Sequence, residues 1–213
     1  MRLSPYPLQL APGSGTSAHA VDVVFAVCGS RLPSGYAQAL WEALLGRLPW
    51  LADEPQVGVH AIRGSACDGG LLLSRRARLA LRLPVHRLDD ALALGGQVLE
   101  VGGERLELGD VRPRPLEPFP TLSAHFVATG LADTLAHQQT IEAMLGELQL
   151  PLRFICGRMQ TVNLGARVVA GAELVLHELR PEQSLALQER GLGADRHLGH
   201  GLFLPHKTIS GID

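Results

Sequence analysis

The fold follows from Ala20-Val21-Asp22-Val23-Val24-Phe25-Ala26-Val27-Cys28, an apolar run rich in β-branched residues that stops at Gly29. Such a run predicts a central β-strand. After it, Tyr36 to Leu48 carries apolar residues at the three-and-four spacing of a buried helix face, and Ser34 is placed to cap that helix. The pattern therefore begins with a strand followed by an amphipathic helix.

The remaining patterns give the same order of elements twice. In the first half they predict strands at Val57–Ile62 and Leu71–Leu83, a short helix at Leu88–Leu94, and a strand or hairpin at Val98–Leu108. In the second half they predict, in order, a strand at Leu122–Thr129, a helix at Thr134–Leu148, strands at Leu152–Thr161 and Arg167–Leu179, a helix at Pro181–Glu189 and a strand at Leu202–His206. Each half reads β-α-β-β-α-β.

This duplication predicts an α+β fold made of tandem ferredoxin-like (RRM-like) domains, each with an antiparallel sheet. We expect an N-terminal domain at 1–111, a proline-rich linker at 112–120, and a C-terminal domain at 121–213 that contains a glycine-rich loop at 191–203. Because many unrelated activities use this fold, the pattern alone predicts no function.

Composition narrows the class of protein. Of 213 residues, 46% are hydrophobic and 19% charged, which is enough apolar surface for a packed core. No apolar run reaches the roughly 20 residues needed to cross a bilayer, and the prolines near Met1 do not suit a secretory signal, so we expect a cytoplasmic protein with no membrane partner. Three scattered cysteines and nine histidines without ligand spacing predict no disulfide, no metal and no cofactor.

The cations are almost all arginine and they cluster, although the formal net charge is −2. Alternation along Leu71–Leu83 places Arg76, Arg78 and Arg82 on one strand face and Arg75 on the other. We expect that face to contact RNA phosphates. The alternative is an ordinary solvated face.

A second candidate for nucleic-acid binding, after the arginine cluster, is the glycine-rich segment Gly191-Leu192-Gly193-Ala194-Asp195-Arg196-His197-Leu198-Gly199-His200-Gly201-Leu202-Phe203. Its glycines would let a backbone approach a partner closely and turn N–H groups toward an anion, with Arg196 supplying charge. The alternative is a flexible surface loop. The segment is neither a Walker loop nor a dinucleotide fingerprint, because no Gly-Lys-Ser/Thr follows and no helix opens after it.

A glycine-rich loop directly before the last strand of the second of two ferredoxin-like domains resembles the RAMP superfamily of CRISPR-associated proteins. The run from Gly191 to Lys207 is similar to that of the sixth Cas family, the endoribonucleases that process precursor CRISPR RNA (crRNA). Val57–His60, Leu48–Leu51 and Ser184–Gln188 look most like its Myxan-type subfamily.

The resemblance implies a protein that binds the stem-loop of a CRISPR repeat and cuts it once, without metal. In that family the 2′-hydroxyl attacks the adjacent phosphate and leaves a 2′,3′-cyclic phosphate. Other Cas proteins of an effector complex are the further partners that it implies.

Histidine suits the two proton transfers of such a reaction, because its pKa lies near neutrality. The family often places a histidine in or after the first helix, but here that helix and its leading loop contain none. We therefore predict His60 as general acid or base with Tyr36 as its helper. His60 reads equally well as a core histidine. His197, His200 and His206 are the alternatives, whereas His125 and His177 fall in predicted strands and are expected to pack.

The predicted RNA-binding residues are the arginines of the third strand together with the glycine loop and its basic neighbours: Arg75, Arg76, Arg78, Arg82, Arg190, Gly191, Gly193, Arg196, His197, Gly199, His200, Gly201 and Lys207. Three functions stay open. The first is a metal-independent, single-turnover endoribonuclease and the second a non-catalytic crRNA-binding subunit. The third is an unrelated ferredoxin-like domain, which the near-neutral charge favours and which would show no salt-dependent RNA affinity.

Overall fold

The computed structural model describes residues 18–164 and 167–206. Its helices are α1 (Tyr36–Arg47), α2 (Leu88–Leu92), α3 (Thr134–Glu147) and α4 (Pro181–Arg190). Its strands are β1 (Ala20–Cys28), β2 (Arg31–Pro33), β3 (Gly58–Val59), β4 (Ser65–Cys67), β5 (Gly70–Leu72), β6 (Arg78–Pro84), β7 (Val98–Val101), β8 (Glu104–Pro115), β9 (Leu122–Ala128), β10 (Phe154–Cys156), β11 (Gln160–Asn163), β12 (Val168–Leu176) and β13 (Leu204–Pro205).

Strand β1 lies at the centre of the first sheet, as its apolar sequence predicts. The strand order is β3-β6-β1-β8-β7, and all pairs are antiparallel. Val23 and Phe25 are fully buried and pack in one core with Leu40 and Leu44 of α1. The opposite face of β1 points away from α1, because successive side chains alternate across a strand. A smaller sheet, β2-β5-β4, lies beside this one.

The second sheet has the order β10-β12-β9-β13, with β11 also paired to β12. Ile141 and Leu145 of α3 are buried in its core, and the Asp133 side chain caps α3 by accepting a hydrogen bond from the backbone N–H of Ala136. The prediction of a mixed α and β fold with antiparallel sheets is confirmed. Among the described residues, no helix has the length and apolar character needed to cross a bilayer.

The predicted strand at Leu71–Leu83 is wrong, because the structure divides it into β5 and β6. Between them Arg75 and Arg76 form a turn, in which the backbone N–H of Arg76 donates to Ser74 Oγ. Alternation therefore holds only from Arg78 onward. Ser34 is not the helix cap either, since Gly35 precedes α1 in a left-handed conformation with φ of 70°.

The predicted linker at 112–120 is wrong at its first residues, because β8 continues to Pro115. Arg112 pairs with Val24 and Arg114 pairs with Asp22 of β1. Strand β7 pairs with β8 only as far as Glu107, so the far end of β8 is a sheet edge. Proline is tolerated at such an edge, which explains why a proline-rich sequence forms a strand here.

Candidate nucleic-acid interface

The face of the first sheet that points away from α1 carries a row of arginines. Val24 of β1 pairs with Ala80 on one side and Arg112 on the other, and Ala26 pairs with Arg78. All of these residues except Ala26 line an open cleft of about 450 Å³, here called the arginine cleft. Its charged members are Arg63, Arg76, Arg78, Arg112 and Arg114.

Most of these guanidinium groups have no acidic partner. Arg114 pairs with Asp22 at 2.7 Å, but within the described part of the chain no ion pair reaches Arg63, Arg76, Arg78 or Arg112. Arg78 Nη1 donates to the carbonyl of Ala77 at 2.7 Å, which holds the side chain near the sheet. Uncompensated cations along an open surface create the field that attracts a polyanion.

Of the arginines predicted from the third strand, Arg76 and Arg78 line this cleft and Arg75 does not. The prediction for Arg82 is wrong. Arg82 is only 1% exposed, so its guanidinium cannot meet RNA. The alternation of side chains was correct, but the second half of the molecule covers this end of the sheet face.

Arg82 instead connects the two halves. Its Nε donates to Asp22 Oδ1 at 2.8 Å, and its Nη1 donates to the carbonyl oxygens of Gln188 at 3.0 Å and Phe203 at 2.9 Å. Burial alone would raise the pKa of Asp22, but the neighbouring His60 and Arg82 outweigh it and hold that pKa well below its usual range. Asp22 is therefore a carboxylate at any physiological pH.

His60 lies where the arginine cleft meets a second cleft, and it lines both. Its Nε2 is 3.4 Å from Asp22 Oδ1, the long end of the hydrogen-bonding range, and the residue is 9% exposed. Burial lowers the pKa of His60, and the Arg82 charge adds to that effect against the opposing pull of Asp22. The imidazole is thus uncharged at neutral pH and has the protonation state of a base.

Tyr36 does not join His60. Its hydroxyl accepts a hydrogen bond from the backbone N–H of Ile62 at 2.8 Å and is 3.3 Å from the carbonyl oxygen of the same residue. Burial raises the pKa of Tyr36. The predicted pairing of Tyr36 with His60 is therefore wrong, since this hydroxyl fastens the start of α1 to the segment after β3.

The second cleft, here called the junction cleft, lies between the halves and measures about 810 Å³. From the first half it receives His60 and Arg63; from the second it receives Ser123, His125, Glu173 and His206, together with apolar neighbours. The expectation that His125 packs in the interior is wrong, because its side chain is exposed. One cleft thus gathers three imidazoles, a guanidinium and a carboxylate.

The glycine-rich segment 191–203 is not the exposed anion cradle that its sequence suggests. Seven of its N–H groups, including those of three of the four glycines, are used internally: Gly191 donates to Leu187, Leu192 to Gly201, Ala194 to Ala128, Leu198 and His200 to Asp195, Gly199 to Arg196, and Gly201 to Phe126. The glycines are needed for close packing. A Cβ on Gly201, whose φ is 64°, would lie 1.9 Å from the carbonyl oxygen of Leu192.

The charged residues of this segment are also mostly buried. Arg196 is 9% exposed and donates to the carbonyl of Gln56 at 2.9 Å in the first half, and burial followed by the Arg82 charge lowers its pKa to about 10. His200 is 7% exposed and packs on Phe126. Arg196 therefore joins the halves, whereas His200 packs within the second half, and neither is the exposed side chain that the predicted RNA contact assumes.

Other predicted residues of this group reach a surface. His197 is half-buried, 5.1 Å from Trp41 between ring centroids, and with Gly193 it lines a separate cleft of about 540 Å³. Arg190 is exposed, and Lys207 falls outside the described residues. Across 18–164 and 167–206, no three His, Cys, Asp or Glu side chains gather closely enough to hold a metal ion.

Sequence reasoning missed Arg63, Arg112 and Arg114. For the latter two a signal existed, because Arg112 and Arg114 alternate with Val111 and Pro113 as strand residues do. The prolines hid it. For Arg63 the sequence offers no comparable pattern, since it follows β3 in an irregular segment and reaches the cleft only through tertiary packing.

Comparison with protein families matches residues 21–208 to the family described as Cas6 Crispr. Among characterised proteins, the chain is 37% identical over 186 residues to the CRISPR-associated endonuclease Cas6 of Myxococcus xanthus (strain DK1622). That alignment covers 87% of this chain and 81% of the relative.

Solved structures give similar folds at low identity. One described as an RAMP protein binding different RNA substrates has a TM-score of 0.60 at 14% identity, covering 86% of this chain and 98% of that one. A CRISPR associated protein Cas6 gives 0.58 at 10% identity, covering 88% and 100%. A Cas6 product complex gives 0.53 at 18% identity, covering 86% and 98%. At these identities the likeness concerns the fold alone.

Proposed function

Because the chain belongs to the Cas6 family, we propose that it binds the repeat RNA of a CRISPR transcript and cleaves the precursor to mature crRNA. The observation that carries this proposal is the arginine cleft, which opens directly onto His60 between the two halves. A binding surface for phosphates and a group suited to proton transfer therefore adjoin each other.

The RNA lies across the open face of the first sheet in this proposal. Arg112 lies beside Val24, and Arg78 follows two positions from Ala80 along β6, so cationic side chains border uncharged ones on this face. Such a surface suits single-stranded RNA, whose backbone can follow the cations while its bases contact the sheet. The near-neutral net charge does not oppose this, since the positive field is local.

Cleavage proceeds by attack of the substrate's 2′-hydroxyl on the adjacent phosphate, without metal, and leaves a 2′,3′-cyclic phosphate and a 5′-hydroxyl. His60 accepts the 2′-hydroxyl proton. Asp22, held as a carboxylate 3.4 Å from His60 Nε2, stabilises the imidazolium that forms. Arg63, which lines both clefts, stabilises charge on the phosphate.

Both halves are assigned to the ferredoxin-like fold in this proposal. The support is the strand order, since β8-β1-β6-β3 and β13-β9-β12-β10 follow the same sequence of fourth, first, third and second strands. The N-terminal domain then ends near Pro115, where β8 ends, and the C-terminal domain begins at Leu122 with β9.

A second candidate is a non-catalytic crRNA-binding subunit of a CRISPR effector complex, in contact with other Cas proteins. The observation that favours it is the loss of the predicted catalytic pair, because the Tyr36 hydroxyl is occupied by Ile62 and α1 contains no histidine. Both candidates share the arginine cleft and differ in whether the RNA is cut.

The test is to incubate the purified protein with labelled repeat RNA from its host in EDTA, and to compare wild type with His60→Asn on denaturing and binding gels. We expect cleavage by the wild type alone, with RNA bound by both proteins. Binding without cleavage by the wild type would favour the second candidate. Absence of binding would overturn both.

A further inference from the structure

The proposed reaction needs two proton transfers, and only one has been assigned. One group must take the proton from the 2′-hydroxyl, and another must give a proton to the departing 5′-oxygen. Tyr36 cannot serve, because its hydroxyl is bonded to Ile62 and lines neither cleft. The second group must therefore come from elsewhere around His60.

The junction cleft supplies two exposed imidazoles from the second half, His125 and His206. His125 lies at an irregularity of β9, where the pairing with β12 shifts by one residue between Ala124 and Val127, opposite Glu173. Such bulges re-aim side chains and occur often beside active sites. His125 also shares the strand face of Ser123, which lines the same cleft, because side chains two residues apart point the same way.

Packing brings this part of β9 close to the segment that carries His60. The N–H of Gly201 donates to the carbonyl oxygen of Phe126 at 2.7 Å, which joins the end of the glycine-rich segment to β9. The next residue, Leu202, fills the space beside Gly58, where a Cβ would lie 2.4 Å from the leucine side chain. One layer of side chains thus separates the bulge from β3.

His206 is placed less favourably along the same ladder. Its N–H donates to the carbonyl of Thr121 at 3.1 Å, so it lies opposite Thr121. His125 is four residues further along β9, roughly 13 Å away at about 3.3 Å per residue. The two imidazoles are therefore alternatives for one phosphate rather than a pair, and His125 lies on the side of Leu202 and Gly58.

We infer that His125 is the second catalytic residue of the cleavage reaction, the acid that protonates the departing 5′-oxygen. The inference rests on the proposed function. In the step, the 2′-hydroxyl gives its proton to His60, the bond from O2′ to phosphorus forms, and the bond from phosphorus to O5′ breaks as O5′ takes the proton of His125. His60 then carries the extra proton and His125 has lost one, and solvent exchange restores both.

Several charged or titratable groups share the site and set its pH dependence. Around His125 they are Glu173, Arg63, His200 and His206, and around His60 they are Asp22, Arg82 and Arg114. The rate of the wild type should fall at low pH, as His60 is protonated.

The experiment begins by mapping the cut in labelled repeat RNA with the wild type in EDTA. We then compare His125→Asn and His206→Asn with His86→Asn, an exposed histidine paired with Glu54 outside the junction cleft. His125→Asn should cleave about 100-fold to 10,000-fold more slowly, the usual contribution of a general acid, with RNA affinity unchanged. His86→Asn should cleave at the wild-type rate, and His206→Asn should lose far less activity than His125→Asn.

A modified substrate identifies the role of His125. Replacing O5′ at the mapped cut by sulfur gives a leaving group that departs as a thiolate and needs no proton, since a thiol is far more acidic than an alcohol. This RNA should restore cleavage by His125→Asn to within about tenfold of the wild type, and should leave His60→Asn slow. A purely structural effect of the His125 change would slow both substrates equally and would overturn the inference.

Failure of the proposed cleavage and failure of the His125 assignment give different results. If the wild type binds but never cuts the repeat RNA, the proposed cleavage and this inference are both overturned. If the wild type cuts and His125→Asn cuts equally fast, or if His206→Asn alone loses activity, only the assignment of His125 is overturned.

Discussion

The two halves of the molecule have the same order of strands and differ in what their open sheet faces carry. On the first sheet that face bears Arg78, Arg112 and Arg114. On the second, the residues that reach the junction cleft are Ser123, His125, Glu173 and His206, none of them an arginine. The two antiparallel sheets therefore present two kinds of surface, one suited to holding a polyanion and one suited to moving protons.

The comparison also shows how the surfaces are brought together. Arg82 and the segment 191–203 cross from one half to the other, and both had been predicted to contact RNA. Arg82 and this glycine-rich segment, whose sequences predict a charged surface and a flexible loop, thus form the contact between the halves. The junction cleft lies at this contact and depends on these residues. The first test of the comparison is therefore to remove the contacts that they make between the halves.

The largest effect is expected from Arg82→Met. It leaves the buried Asp22 with fewer partners and removes the donor to Gln188 and Phe203, so the free energy of unfolding should fall by about 3 to 5 kcal/mol, measured by urea denaturation. Arg105→Met is the matched control, because its pair with Glu100 is exposed and long at 3.8 Å, and it should cost less than about 1 kcal/mol. Equal losses in the two variants would contradict the role assigned to Arg82.

Next in size is Gly201→Ala, which tests whether the glycine segment is structural. A Cβ there meets a backbone oxygen and needs a positive φ, so we expect a loss of roughly 1 to 3 kcal/mol of unfolding free energy in thermal denaturation. Gly146→Ala in α3 is the control, since nothing lies within 4 Å of its Cβ position, and it should gain roughly 0.5 to 1 kcal/mol. A stable Gly201→Ala protein with weakened RNA binding would instead support the anion-cradle interpretation.

The third prediction tests whether RNA binds to the first sheet rather than to the second half. It compares a double variant, Arg78→Ala with Arg112→Ala, with the single variant Arg158→Ala in the second half. The double variant should bind repeat RNA more weakly and should reduce the slope of log affinity against log salt by about 1.4, at about 0.7 per lost phosphate contact. Arg158 is exposed but lies outside both clefts, so its variant should keep the wild-type slope. Gel shifts at a series of salt concentrations give the slope for the wild type, the double variant and Arg158→Ala.

The smallest effect concerns acid stability. Burial lowers the pKa of His137, which is 1% exposed with its Nδ1 2.7 Å from Thr129 Oγ1. The unfolded chain therefore takes up a proton below about pH 6.5 that the folded protein resists, and the free energy of unfolding should fall as the pH drops from 7 to 5. His137→Leu should weaken that dependence in thermal denaturation. An unchanged slope would contradict the assignment.

Much of the fold could be predicted from periodicity alone. Helices α1, α3 and α4 begin where their apolar spacing begins. Strand β1 has the bounds that its run of β-branched residues predicts. The errors lie where local chemistry competes with pattern, at the Ser74–Arg76 turn and at the prolines of β8. At the turn a local hydrogen bond ends the alternation of side chains, whereas at β8 an open sheet edge lets a proline-rich sequence keep it.

The sequence by itself determined the central strand β1, the main helices of each half, the clustering of arginine and the resemblance of the glycine segment, because each depends on residues close together in the chain. Only the tertiary structure decided which of these residues are reachable. Arg82 and Arg196 became interior contacts, whereas Arg112 and His125 became surface, since burial depends on which distant segment covers a strand face. Alternation fixes the face on which a side chain lies, but not whether the other half of the molecule lies over it.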